Sequence, residues 1–318
     1  MNESVFKPAW WLPGPHLQTL WPTLCRKRQK RIALTRERFE LSDGDFLDLD
    51  WAGKEGPIVL ILHGLEGSVR SPYAQGMLAA VVKNGWRGLF MHFRGCSGEP
   101  NRLARGYHSG ETEDLAQVVH AIRRREPEVP MAAIGFSLGG NVLLKWLGET
   151  GQANPLRAAT AVSVPFELNK AVKRFQRGFS QIYQWHLLKC LRKRLTKKFR
   201  QHQALPFFPT LANLKTIWEF DEKITAPLHG FAGAEEYYSL CSSRQYLSKI
   251  RIPTLLVHAQ DDPFMTQDLI PEQEELAEPV KLELTPTGGH VGFVSGRFPW
   301  RSEYWLEKRV PAFLKTYL

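Results

Sequence analysis

Ser137 stands in Gly135-Phe136-Ser137-Leu138-Gly139, directly after the apolar run Met131-Ala132-Ala133-Ile134 and just ahead of a helical pattern. A serine hydroxyl is a weak nucleophile until a neighbouring base takes its proton. A sharp strand-to-helix turn presents such a hydroxyl, and it leaves room only for small residues two positions away. Gly135 and Gly139 occupy those two positions. The following helix aims its N-terminal amides at the point where negative charge develops. The pentapeptide also occurs in ordinary loops, so its meaning depends on partners elsewhere in the chain.

Those partners are present in the expected order. Pro253 to Ala259 reads as an apolar strand and leads into Asp261-Asp262-Pro263. Val280 to Leu284 reads as the last strand and leads through Gly288-Gly289 to His290. Serine, then aspartate, then histidine is the order of an α/β-hydrolase triad, with each group just past a strand. His290 is expected to take the Ser137 proton and return it to the leaving group. Asp262, the residue before Pro263, is preferred to Asp261 as the group that orients the imidazole. A third loop, His63-Gly64-Leu65, follows the strand Ile58–Leu62. Its Leu65 amide, together with that of Leu138, is expected to form an oxyanion hole, where one donor is worth about 3 kcal/mol.

Other chemistry-bearing residues receive plainer readings. His63 shapes its own turn, and His258 lies inside a strand and belongs to the core. His92, near a strand end, and His108, before a helix, remain alternative site-facing candidates. Glu66 and Asp268 read as loop or surface charges.

The elements that must hold these groups alternate strand and helix. Asp43-Gly44 turns a hairpin between Phe39–Leu41 and Phe46–Trp51. Strands are expected at 58–62, 88–93, 131–136, 158–164, 253–259 and 280–284, with helices at 72–83, after Ser109, after Ser137, at 267–277 and at 302–317. Strands that are continuous apolar runs imply a mostly parallel sheet covered on both faces, an α/β architecture. The rhythm stops between Pro165 and Ser248, a basic and aromatic stretch expected to form a helical cap over the site. The expected organisation is an N-terminal arm (1–35) packed on the body, a core in two parts (36–164 and 249–318), and the cap insertion (165–248).

Composition narrows the function further. Of 318 residues 43% are hydrophobic, which suits a globular enzyme, and no run is long enough to span a membrane. Pro8, Pro13 and Pro15 interrupt any signal-peptide core. The four cysteines lack metal-site spacing and read as free thiols of a reducing cytoplasm. No cofactor or metal is expected. The net charge of +10 is concentrated in residues 165–205, where eleven lysines and arginines face one acid, Glu167. A smaller basic run spans Arg26 to Arg31. The basic cap reads as a solvated surface or as a peripheral contact for anionic membrane lipid. No nucleic-acid reader motif is present, and nothing specifies an oligomeric state.

Several further motifs recur together: His16-Leu17-Gln18-Thr19 within Pro13–Leu20, His63-Gly64-Leu65-Glu66-Gly67-Ser68, Arg94-Gly95-Cys96-Ser97-Gly98 and Tyr107-His108-Ser109-Gly110. With the elbow, Asp261-Asp262-Pro263 and Gly289-His290-Val291-Gly292-Phe293, they make the chain resemble the YheT-like branch of the α/β-hydrolase superfamily, related to the ABHD-type lipases and esterases. The resemblance covers nearly the whole chain. It implies a carboxylic-ester hydrolase acting on short-chain esters or acylglycerols, with Ser137, Asp262 and His290 as its relay. Thioesterase or acyltransferase chemistry on the same triad is the nearest alternative. An inactive scaffold that binds anionic lipid is the alternative outside enzymes. Dehalogenase chemistry is disfavoured because serine, not aspartate, occupies the elbow.

Overall fold

A computed structural model of the chain describes residues 6–26, 32–201, 211 and 213–318. Eight strands form one sheet in the order β1-β2-β4-β3-β5-β6-β7-β8. They are β1 (Thr35–Glu40), β2 (Phe46–Ala52), β3 (Ile58–Leu62), β4 (Arg87–Met91), β5 (Met131–Phe136), β6 (Ala158–Val162), β7 (Thr254–Ala259) and β8 (Val280–Thr285). The first hairpin is antiparallel, β2 pairs antiparallel with β4, and every later pairing is parallel.

The apolar strand runs serve two faces at once, because successive side chains point to opposite sides. Ile58, Leu60 and Leu62 of β3 join one core, together with Leu115, Val118 and Val119 of α3 (Glu113–Arg125) and Leu143 and Leu147 of α4 (Leu138–Thr150). Val59 and Ile61 join the other, together with Met77 and Leu78 of α2 (Pro72–Lys83) and Val310 and Leu314 of α10 (Leu306–Leu314). The sheet is thereby covered on both faces by helices that the strand runs alone require.

Between β6 and β7 the chain forms α5 (Leu168–Phe175), α6 (Ser180–Gln201), α7 (Ile217–Phe220), a π-helical turn (Asp221–Thr225), α8 (Ala226–Leu228) and α9 (Ala234–Cys241). These pack around their own apolar cluster, which includes Phe175, Leu191, Leu195, Phe220 and Tyr238. The N-terminal segment contributes α1 (Pro15–Leu24). Its Gln18 side chain brackets Val294, accepting from the Val294 amide at 2.8 Å and donating to its carbonyl at 3.1 Å. Of the N-terminal basic run, Arg26 ion-pairs with Glu307 at 2.5 Å, whereas Lys27 to Arg31 lie outside the described residues.

Three helix expectations are corrected. Residues 267–277 form only two short 3-10 turns, 267–269 and 273–275. Pro271 breaks the segment: Ile270 before it is extended at φ −71°, ψ 129°, as a residue preceding proline prefers. Ser109 does not cap α3, which begins four residues later with Thr112 at its N-cap. The Ser109 amide instead donates to the Tyr237 hydroxyl at 2.9 Å, and its carbonyl accepts from the Asn141 side chain at 2.8 Å. The C-terminal segment first forms a short strand, β10 (Glu303–Tyr304), against β9 (Val294–Ser295), and only then α10.

Candidate active site

The elbow connects β5 to α4, and Ser137 occupies its apex with φ 51° and ψ −119°. A positive φ on a residue with a Cβ is strained and persists only where its surroundings fix it. The Ser137 amide donates to the Val162 carbonyl of β6 at 2.8 Å, and its carbonyl accepts from the Asn141 amide at 3.1 Å. The flanking glycines are required by packing. A Cβ on Gly135 would lie 2.6 Å from the Gly139 carbonyl oxygen, and one on Gly139 would lie 2.5 Å from that of His63.

Three side chains far apart in sequence meet here. His290 Nε2 lies 3.0 Å from Ser137 Oγ, and His290 Nδ1 lies 2.8 Å from Asp262 Oδ2. The second Asp262 oxygen accepts the Phe264 amide at 2.8 Å, so both oxygens of the carboxylate are held. Asp261 serves the loops instead of the ring. Its Oδ1 accepts the Gly289 amide at 2.9 Å and ties the two loops together. Ser163, itself at φ 52°, accepts the Val291 amide at 3.0 Å on the far side of the histidine.

The Gly64-Leu65 loop lies against the serine, since a methyl on Gly64 would sit 3.2 Å from Ser137 Cβ. The amides on either side of Leu65 are already engaged. Gly64 donates to the Tyr73 hydroxyl at 3.0 Å, and Glu66 donates to the Tyr107 hydroxyl at 2.9 Å. Leu138 opens α4, where amides lack partners within the helix. Leu65 and Leu138 thus flank the serine from two separate elements.

The remaining histidines separate by environment. Buried His63 donates from Nδ1 to the Gly64 carbonyl at 2.7 Å and accepts the Phe93 amide at Nε2 at 3.1 Å. Desolvation pushes it down to about 3, so it stays neutral and shapes its turn. His92 pairs with buried Asp50 at 2.7 Å, beneath the β1–β2 hairpin. His258 is buried in β7. His108 lines the cavity above Ser137 and also accepts the Gly110 amide at 3.2 Å.

Glu66, read from the sequence as a loop or surface charge, does lie in a loop, but it is not solvated. Its carboxylate accepts from Arg194 Nε of α6 at 2.7 Å and from the Tyr107 hydroxyl at 3.0 Å, and the pair is largely buried. Part of the basic charge of α6 is turned inward in the same way, while Lys189 and Lys193 are exposed. Buried Lys198 donates to the Asn101 side chain at 2.7 Å and to the Arg105 carbonyl at 2.5 Å. Lys197 stays exposed and donates to the Gly98 carbonyl at 2.5 Å.

Two contributors had little or no sequence signal. Phe264 stacks on the His290 ring at 4.0 Å between centroids and 12° between planes, which fixes the ring and shields one face from water. An aromatic directly after Asp-Asp-Pro was the available clue. Thr19 of α1 accepts the His290 amide at 2.9 Å through its hydroxyl. Its motif, His16-Leu17-Gln18-Thr19, belonged to the family resemblance but indicated no role for the hydroxyl.

Ser137 and His290 open into a cavity of about 590 Å³. Its wall is mainly apolar, with Leu168, Val172 and Phe175 of α5, Leu191 of α6 and Phe264 among its residues. Among the described residues no group of three His, Cys, Asp or Glu side chains could hold a metal ion. No described helix is long and apolar enough to cross a membrane.

A model of the α/β hydrolase fold family matches residues 57–296. The chain belongs to the α/β-hydrolase family. It is 45% identical over its full length to YheT of Escherichia coli (strain K12), of which it covers 95%. It is 31% identical to the monoacylglycerol lipase of Saccharomyces cerevisiae, matching 82% of this chain and 59% of that protein. Phospholipase ABHD3 of Homo sapiens is 28% identical, over 96% of this chain and 77% of its own. Among solved structures, the Pyrococcus furiosus esterase Pf2001 shares the fold with a TM-score of 0.60 at 19% identity, covering 90% of this chain and 92% of its own. This α/β hydrolase is an enzyme of the esterase and lipase type.

Proposed function

We propose that this α/β hydrolase cleaves carboxylic esters through an acyl-enzyme on Ser137. His290 takes the serine proton as Oγ attacks the ester carbonyl, then delivers it to the departing alkoxide. Asp262 keeps Nδ1–H directed at its carboxylate, so that Nε2 presents its lone pair to Ser137, and it stabilises the imidazolium. The Leu65 and Leu138 amides receive the oxyanion, and the α4 N-terminus favours its charge. Water activated by the same His290 then releases the acid. The observation that carries this reading is the Ser137–His290–Asp262 chain of 3.0 and 2.8 Å at the floor of an apolar cavity.

The cavity lies within the roughly 300–1,000 Å³ typical of whole small-molecule sites. That size and its apolar wall favour acyl groups longer than acetyl, as in an acylglycerol. Thioesterase and acyltransferase reactions would use the same acyl-serine and differ in leaving group or acceptor. The four free cysteines accord with the reducing cytoplasm.

The test is fluorophosphonate labelling followed by a p-nitrophenyl ester series. Native protein should be labelled and Ser137→Ala should not. Equal labelling of the variant would overturn the nucleophile assignment, and absent labelling of the native protein would favour the inactive lipid-binding reading.

A peripheral contact with anionic lipid is retained as the partner reading, on a changed footing. The cavity mouth carries exposed Leu24, Phe179, Ile182 and Trp185. Ile182, Trp185, Lys189 and Lys193 follow helical spacing along the exposed side of α6. An apolar stripe ending in lysines suits a headgroup boundary. Co-sedimentation with liposomes should require anionic lipid and weaken in Trp185→Ala; binding indifferent to both would remove this reading.

A further inference from the structure

Among the described residues, one carboxylate in the cavity wall has no answering charge. The buried Asp45, Asp48, Asp50, Glu111 and Asp114 each face an arginine, respectively Arg94, Arg38, Arg36, Arg105 and again Arg94. Glu66, which also lines the cavity, is closed by Arg194. Asp221 lines the same cavity, and among the described residues only hydroxyls hold it. Its Oδ1 accepts from Thr225 at 2.6 Å, and its Oδ2 accepts from Tyr238 at 2.7 Å. A carboxylate offers about four acceptor positions, so lone pairs remain for a ligand.

The local backbone is also unusual. Asp221 opens the π-helical turn Asp221–Thr225, a rare form that recurs at functional sites. Phe220, Tyr237 and Tyr238 line the cavity beside it. Aromatic faces attract cations, most strongly where water is excluded. Desolvation pushes the Asp221 carboxyl up to about 6, which leaves it mostly ionised at neutral pH. An ionised carboxylate without a counter-charge is costly in such surroundings, and an entering cation removes that cost.

We propose that Asp221, with Phe220, Tyr237 and Tyr238, forms a subsite for an alkylammonium group carried by the substrate. The inference rests on the reading of this cavity as the substrate pocket of an ester hydrolase, and it adds a charge preference to that reading. A neutral polyol is the rival occupant: it could hydrogen-bond to Asp221 but would gain nothing from its charge.

Choline and 3,3-dimethylbutan-1-ol have nearly the same shape and differ in charge. In calorimetric titrations of the full chain near neutral pH, choline should bind at least about tenfold more tightly than the carbon isostere. Asp221→Asn should bring the two within about twofold of one another. No choline binding, or equal binding of both by the native protein, overturns the subsite. A second measurement needs no variant, and so stands even if Asp221→Asn does not fold. Choline affinity should fall as pH is lowered through about 6, while that of the isostere should not. Tyr237 and Tyr238 of α9 face Asp221 and are pushed upward, so they stay neutral in this range. A flat choline profile overturns the proposal as well.

The titrations do not depend on Ser137. Their failure with intact fluorophosphonate labelling sinks the subsite alone, and absent labelling sinks the hydrolase reading alone. With an active enzyme, kcat/KM for butyrylcholine should exceed that for 3,3-dimethylbutyl butyrate, and Asp221→Asn should erase the difference. A preference that survives the substitution counts against Asp221.

Discussion

The His290 amide donates to the Thr19 hydroxyl at 2.9 Å, across 271 residues of sequence. Thr19 passes the constraint on, donating to the Pro15 carbonyl at 2.7 Å within α1. The N-terminal segment therefore holds the backbone of the proposed general base. Thr19→Val keeps the side-chain shape and removes both hydrogen bonds, each worth about 1 kcal/mol. The expected result is a several-fold fall in kcat for a p-nitrophenyl ester with KM little changed, and recovery in Thr19→Ser. Unchanged kcat in Thr19→Val would show that the loop holds His290 without α1.

Asp262→Asn tests orientation with little change in size. The asparagine amide can take up the wrong hydrogen-bonding role toward Nδ1 and so favour the wrong imidazole tautomer. In a serine triad this costs on the order of 10⁴-fold in kcat. Asp261→Asn, one residue away, should cost far less, because Asp261 bonds a loop amide and not the ring. Comparable losses in both variants would contradict the division of roles.

Gly139→Ala should destabilise the fold. Its Cβ would press on the His63 carbonyl and on Leu62 of β3, all backbone atoms that cannot rotate away. Overpacking of this kind costs about 1–3 kcal/mol. Denaturant unfolding should show a lower midpoint with an unchanged slope, and Gly98→Ala serves as a contrast, strained in backbone but with open space around it.

Lys198 makes stability depend on pH. Desolvation, with Arg194, Arg94 and Arg105 nearby and Asp45 opposing them, pushes it down to about 7 from an ordinary value of 10.5. Between these values the unfolded chain binds the proton and the folded chain does not, so this group makes stability rise with pH from about 7 to 10.5. Below 7 both states are protonated and the penalty is constant. Lys198→Met should flatten that rise in Tm between pH 7 and 9. An identical profile in the variant would assign the dependence to other groups.

The sheet was legible because its inner strands are continuous apolar runs, and the loops after β5, β7 and β8 carried residue types with few other uses together. Ile58–Leu62 is bounded as the residues suggested. What escaped was set by tertiary contacts or by single breaking residues. Pro271 removed a helix that the surrounding composition favoured. Ser109 looked like a cap, but its amide and carbonyl were claimed by Tyr237 and Asn141. Glu66 looked solvated because Arg194, its partner, lies 128 residues away. Charge counting predicted a basic cap surface, yet it could not distinguish an outward lysine from Lys198, whose ammonium is buried against Asn101.

β6 and β7, between which α5 to α9 are inserted, are hydrogen-bonded neighbours, with Val162 opposite Val257. The two strands run parallel, so the insertion leaves at the carboxyl end of β6, Val162, and the chain re-enters at the amino end of β7, Thr254, opposite Ala159. The pairing of β6 with β7 does not involve the inserted helices, and any crossover segment that returns from Val162 to Thr254 can be carried there. Ser137, Asp262 and His290 all lie outside the insertion. Descendants of this chain can thus exchange the inserted part of the cavity wall, Asp221 included, and acquire new substrates while the proposed proton relay beneath is inherited intact.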